Sequence, residues 1–272
     1  MIRRKPILTI SDLSHASEPA LRFSGSLAHI LGADLQVIHG VGLLRRPLRS
    51  VLPALGQLSA TIDSAEQMLI SQIRRTVPRG ISVRAPAVEL DDADTIIRRY
   101  TQELEPMVIV APHLWECAPA SGARAMKSPF ALSRRAPPTV VVRGERTGTR
   151  DHVMVVSSVE AFSADVIEDA GRWAFWLERV YGSGRPRGPD FEVVLVDEQA
   201  PRSSVAERLV DATTDLIVVD RSIFGDSRIA HQVEKAMSVI TKLSVPVALI
   251  GGAKQPRGAL HETNGKASMV SA

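Results

Sequence analysis

Pro6-Ile7-Leu8-Thr9-Ile10-Ser11-Asp12-Leu13-Ser14 is the stretch whose reading decides the fold. Arg3, Arg4 and Lys5 keep its entry polar, and the apolar run ends in a polar Ser-Asp turn. Leu21, Phe23, Leu27, Ala28, Ile30 and Leu31 follow at a spacing that predicts a helix with one apolar side. Ser14 and Ser17 are candidate caps for its start. Pro19 suits a first turn, where its missing N–H would be unpaired anyway. Gly32 is the expected stop. Ala33 to His39 then reads as a second strand. Two strands joined by a helix of this length form a βαβ unit, which implies a parallel sheet.

The composition agrees with such a sheet. Aromatic residues make up only 4% of a chain that is 44% hydrophobic, so the core must be aliphatic and β-branched, as buried parallel sheets are. No apolar run approaches the roughly 20 residues that span a bilayer, and Thr9, Ser11 and Asp12 interrupt the only candidate for a signal-peptide core. With Cys117 as the single cysteine, no disulfide forms within the chain, and a reducing, cytoplasmic setting is expected. The net charge is only +3. The arginines come in scattered pairs (Arg45-Arg46, Arg74-Arg75, Arg98-Arg99, Arg134-Arg135) rather than as a stripe with stacking aromatics, which argues against a nucleic-acid face.

The pattern continues past His39. A helix is predicted from about Leu55 to Arg75 and a weak strand from Ile81 to Val88, placed at a sheet edge by Pro86. Asp91-Asp92 is a candidate cap for a helix that buries Ile96, Ile97, Tyr100 and Leu104. Met107 to Ala111 reads as a buried strand, Ser128-Pro129 as the opening of a short helix, and Thr139 to Val142 as a fifth strand. After a polar linker the pattern begins again. His152 to Ser158 repeats the opening strand and Ala164 to Tyr181 the first helix. Phe191 to Val196, Leu216 to Val219 and Val245 to Ile250 are the remaining strands, with helices expected over 203–212 and from Asp226. The second copy lacks one strand–helix step. The reading is therefore α/β, with two tandem doubly wound layer sandwiches over 1–144 and 151–252, the second truncated, and a disordered polar tail over 253–272. The two copies are expected to meet through their last strands.

The strand, Ser-Asp turn and helix at Ile7–Ser17, the run Leu31 to His39, and Met107 to Val142 with Ala136-Pro137-Pro138 together resemble the universal stress protein family. In the second copy Thr214 to Val219 and Val245-Pro246-Val247 match the same positions. The resemblance implies strand order 3-2-1-4-5 and a ligand crevice beyond the carboxyl ends of the first and fourth strands, at the topological switch point. It also implies an aspartate near a nucleotide base and a glycine segment whose backbone N–H groups approach phosphate. Asp12 matches that aspartate. Ala111 and Leu114 stand where the first two glycines would be, and Lys127-Ser128 best matches the final pair. In the second copy Ser158, Asp220, Ile223 and Val233-Glu234 replace the whole set, so no ATP is expected there.

The candidate binding residues are thus Ser11, Asp12, His39, Ala111, His113, Arg124, Lys127 and Ser128. A metal at Asp12, His39, His113 and Cys117 is chemically conceivable, but outer strands two steps of about 4.8 Å apart hold the two histidines too widely spaced. Ser157-Ser158 lacks a nucleophile elbow. Trp173, Phe175 and Trp176 exceed what one narrow helix face buries, so they serve core packing first and an interface second. The resemblance implies a non-catalytic stress-response signalling or interaction module without ordinary ATP binding, acting through a protein partner or self-association as a dimer. The alternative is a sensor that binds ATP, AMP or a similar adenine nucleotide in the first copy.

Overall fold

The structure, a computed structural model, describes residues 5–41, 55–91, 93–112, 136–142, 144, 152–160, 162–181, 190–196, 214–225 and 245–251. Among these residues nine strands form one sheet: β1 (Ile7–Ser11), β2 (Leu35–Gly40), β3 (Ala87–Glu89), β4 (Val108–Ala111), β5 (Thr139–Val141), β6 (His152–Ser158), β7 (Asp190–Val196), β8 (Leu216–Asp220) and β9 (Val247–Ile250). The helices are α1 (Glu18–Leu31), α2 (Leu55–Thr76), α3 (Ala93–Leu104) and α4 (Ala164–Tyr181). The sheet order is β3-β2-β1-β4-β5-β9-β8-β6-β7. The first five strands therefore run 3-2-1-4-5, and the last four repeat that order without a counterpart of β3 among the described residues. Every pairing is parallel except β5 with β9, where Thr139, Val140 and Val141 face Leu249, Ala248 and Val247.

Side-chain alternation along the strands builds two core layers. Ile7, Val37, Val110 and Val218 pack on one face with Leu27, Leu69, Trp173 and Trp176 of the helices. Leu8, Ile38, Ile109 and Val219 pack on the other with Ile96 and Ile97 of α3. Trp173 and Trp176 meet edge to face at 4.8 Å. Phe175 is 48% exposed and lies under the Arg179 guanidinium, 5.2 Å from its ring centroid. Core packing accounts for two of the three aromatics.

Two local readings change. Ser17 precedes α1 but makes no side-chain cap to it, because its hydroxyl is committed to Asp12. Ser14 caps a preceding 3-10 turn, His15–Ser17. The expected strand over 81–88 is cut to Ala87–Glu89 plus one bridge from Val83 to Leu35. Pro86 has no N–H to give to a ladder, and the Gln36 side chain takes the Ala85 carbonyl at 2.9 Å instead. Gly32 ends α1 with a left-handed φ of 58°, as the sequence predicts.

A surface ion pair ties α1 to α2. The Glu18 carboxylate accepts from Arg75 Nη2 at 2.6 Å and from His15 Nδ1 at 2.8 Å. Those hydrogen bonds, Arg75 first, hold its carboxyl below the usual glutamate range. A folded-state value below the unfolded one contributes stability above the unfolded pKa, and that stability is lost as pH falls through the folded value. Because Arg75 is half exposed, the pair is worth about 0.5 kcal/mol. Urea denaturation of Glu18→Gln should therefore trail the wild type at pH 7 and match it at acid pH, well below the unperturbed glutamate pKa of about 4.3.

Candidate functional site

β1 and β4, neighbours in the sheet but not in sequence, mark the topological switch point of the first five strands, and open parallel sheets bind ligands beyond the carboxyl ends of such strands. The loop leaving β1 is held by its own polar groups. Asp12 Oδ1 accepts from Ser14 N at 2.9 Å, from Ser14 Oγ at 2.6 Å and from the Ser17 hydroxyl, while Asp12 N donates to Ser17 Oγ at 3.0 Å. This is the local Asx geometry that short acidic side chains favour. It turns Leu13 to a φ of 64°, a conformation that costs a non-glycine residue about 1 kcal/mol.

Helix α2 locks that loop from above. Ser11 Oγ donates to Gln72 Oε1 at 2.6 Å and accepts from Leu13 N at 3.0 Å, and Gln72 Nε2 donates to the Ser14 carbonyl at 2.8 Å. Gln72 is buried, so both ends of its amide need these partners. No sequence signal singled out Gln72. Its place on the buried stripe of α2, between Leu69 and Ile73, was the available clue.

His39, next to last in β2, stands opposite Ser11 in the parallel register. Its Nδ1 lies 2.8 Å from the Ser11 carbonyl oxygen. Beside it opens a cleft of about 530 Å³ between the end of β2 and α2. Leu13, Val41 and Met68 give it apolar walls, and Thr61 and Ser64 contribute hydroxyls from α2. It is an open groove, with Ala60, Thr61, Ser64 and Met68 exposed along its α2 side.

The expected site residues divide accordingly. Ser11 and Asp12 shape the loop, and His39 lines the cleft. Ala111 is committed to the sheet: its methyl group packs in the core layer that includes Ile109, and its carbonyl accepts from Val142 N at 2.9 Å. His113, Arg124, Lys127 and Ser128 lie outside the described residues, as does Cys117. Among the described residues no three His, Cys, Asp or Glu side chains are grouped to hold a metal ion, and no helix is long and apolar enough to cross a membrane.

At the carboxyl ends of β6 and β8, the switch point of the second copy, a buried carboxylate is held by its neighbours. Asp220, 4% exposed at the end of β8, accepts from Ser157 Oγ at 3.0 Å, from Ser222 Oγ at 2.6 Å and from Ser222 N at 2.9 Å. Gly251 approaches it from the end of β9 with φ at 81°, and a Cβ there would stand 2.8 Å from Asp220 Oδ1. Arg221 is wholly buried. Its Nη1 donates to the Ala136 carbonyl and its Nη2 to Thr139 Oγ1 at 2.6 Å, both in the first copy. Burial pushes the guanidinium down to about 9, which leaves it charged at neutral pH. The sequence marked Asp220 only as a replaced glycine.

No protein-family model matches the chain, and no curated protein does either. Solved structures do match. A universal stress protein from Archaeoglobus fulgidus DSM 4304 aligns over 92% of this chain and 98% of its own, at 14% identity and a TM-score of 0.52. A protein from Pseudomonas aeruginosa UCBPP-PA14, provisionally assigned to the same family, aligns over 91% and 93% at 14% identity and a TM-score of 0.51. An Archaeoglobus fulgidus universal stress protein in complex with dAMP aligns over 40% of this chain and 82% of its own, at 22% identity and a TM-score of 0.27. The fold is that of the universal stress proteins.

Proposed function

We propose that the protein is a non-catalytic, universal stress protein-like module that senses a small molecule of the adenine-nucleotide class in its first copy. The observation that carries this reading is the cleft between β2 and α2, with apolar walls for a flat ring and polar groups at His39, Thr61 and Ser64. It lies beside the Asp12 loop, at the carboxyl ends of the strands, the side of the sheet where the fold class places ligands. The glycine cradle is replaced at Ala111, whose side chain and carbonyl serve the sheet, so phosphate is held by means other than the family's usual backbone loop. The second copy supports a division of labour. Asp220 spends its carboxylate on Ser157 and Ser222, and Arg221 bridges to Ala136 and Thr139 of the first copy, which supports leaving that half to contacts within the chain and with a protein partner.

Denaturing freshly purified protein and identifying any released molecule by mass spectrometry is the direct test, followed by calorimetric titration with ATP and AMP. One adenine nucleotide per chain, recovered chemically unchanged, is the expected result. An empty protein that gives no heat with either nucleotide overturns the sensor role. Metal-dependent conversion of the nucleotide would overturn the non-catalytic one.

A further inference from the structure

Strand β7 carries an inference that rests on the interaction role proposed for the second copy and names its partner. In the first copy α2 lies over β2, burying Leu69 and Ile73 in the core layer that includes Val37. β7 holds the place of β2 in the second copy, pairing in parallel with the opening strand β6 as β2 does with β1. Residues 197–215 separate it from β8, fewer than the 22 residues of α2 alone, so no helix of that length fits the interval. Phe191 and Val193 are accordingly only partly buried on that face, and Leu195 is 44% exposed. Phe175 turns to the same side. A Cβ on Gly171 would stand 3.8 Å from the Phe191 ring, and helix residues four apart share a side. Beyond β7 no further strand follows among the described residues.

The opposite edge of the sheet is blunted. β3 has three residues and follows Pro86, and short strands and prolines are what keep edges from pairing. β7 has seven residues, none of them proline or lysine. We propose that β7 is a dimerisation edge, pairing antiparallel with β7 of a second molecule of this chain about a two-fold axis at Val193. That register is the one that uses all seven residues. Phe191 then faces the other molecule's Leu195, and residues directly opposed share a face of the sheet, so the two half-covered apolar rows join. Asp190 faces Val196 and Glu192 faces Val194, whereas parallel pairing would set like carboxylates opposite one another. The charges of the chain also run from basic to acidic across β7, with Arg185 and Arg187 before it and Asp197 and Glu198 after it. An antiparallel neighbour of the same sequence reverses that order. Such a contact is isologous and closes at two molecules. It repeats the antiparallel edge pairing that already joins β5 to β9.

The test is light scattering on the full chain at micromolar concentration, where the wild type should be a dimer. Leu195→Lys sets a charge against Phe191 twice in each dimer. It should weaken association about a hundredfold, about tenfold at each of the two sites. The variant should still melt with the wild type, because Leu195 is half exposed. In a Cys117→Ser background, Val193→Cys brings two thiols together across the axis, and oxidised glutathione should link them into a covalent dimer. Glu192→Cys, set opposite Val194, should not cross-link. A monomeric wild type overturns the inference. So does a dimer that survives Leu195→Lys, or one that gives no covalent product through Val193→Cys. Nucleotide binding in the first copy is read separately by calorimetry, so its failure and the failure of this interface are distinguishable.

Discussion

Arg221→Ala is expected to lower the stability of the chain by about 3 kcal/mol, from lost side-chain volume and a stranded backbone acceptor. Arg221 is fully buried and reaches from the end of β8 to Ala136 and Thr139, at the start of β5. Truncation leaves the Ala136 carbonyl without this donor and opens a cavity where β5 meets β9. The loss is partly offset, because a buried cation carries a desolvation penalty, the same penalty that pushes its pKa down to about 9. Arg221→Met separates the two effects. It keeps most of the volume and removes the charge, so it should lie within about 1 kcal/mol of wild type. Urea denaturation measures both variants, and hydrogen exchange at Val140 and Ala248 reports whether the β5–β9 seam opens first in Arg221→Ala. If methionine is as damaging as alanine, the two hydrogen bonds hold the seam, and volume does not.

Asp220→Ala should cost a similar amount, about 3 kcal/mol, for a different reason. Removing a buried carboxylate that accepts three hydrogen bonds leaves Ser157 Oγ, Ser222 Oγ and Ser222 N without their acceptor, and charged acceptors carry the larger share of such energies. Asp220→Asn keeps an oxygen for Ser222 N and turns the other atom into a donor. The two serine hydroxyls can rotate to accept from it. The cost should then fall to about 1 kcal/mol. Both variants should leave nucleotide binding in the first copy unchanged, read by the same calorimetry. Adenine-nucleotide binding that appears in the second copy of Asp220→Ala would contradict the view that this crevice has been given over to packing. Because Asp220 and Arg221 are neighbours, their effects will not add.

Much of this architecture was legible from local periodicity. Ile7 to Ser11 alternates sides through a buried sheet, and the helix spacing from Leu21 to Leu31 and the stop at Gly32 describe α1 nearly to the residue. The strand–helix rhythm repeats after the linker, so the missing step in the second copy is visible as a shorter interval between β7 and β8. Ile81 to Val88 reads as one strand because apolar residues recur at every second position, yet its pairing is a bridge at Val83 and the short Ala87–Glu89 ladder. Pro86 decided otherwise. Ser17 was misread as a cap because its chemistry suits that role equally well, and only the position of Asp12 shows where its hydroxyl goes.

The site was legible in a weaker sense. His39 and Asp12 were marked by their place at strand ends, yet their roles differ: one lines the cleft, the other folds a loop. What the amino-acid order pointed to by itself was the parallel α/β class and, through the family resemblance, the strand order 3-2-1-4-5. Each depends on residues close together in the chain. The tertiary structure alone decided that β5 and β9 join the copies antiparallel, that Gln72 locks the β1 loop, that α2 and β2 border the cleft, that Asp220 takes Ser157 and Ser222, and that Arg221 bridges to Ala136 and Thr139. The Ser11–Gln72, Ser157–Asp220 and Arg221–Ala136 bonds link positions 61, 63 and 85 residues apart, and the β5–β9 pairs lie farther apart still. Periodicity reports which face a side chain takes, while pairing across such distances depends on how the whole sheet closes.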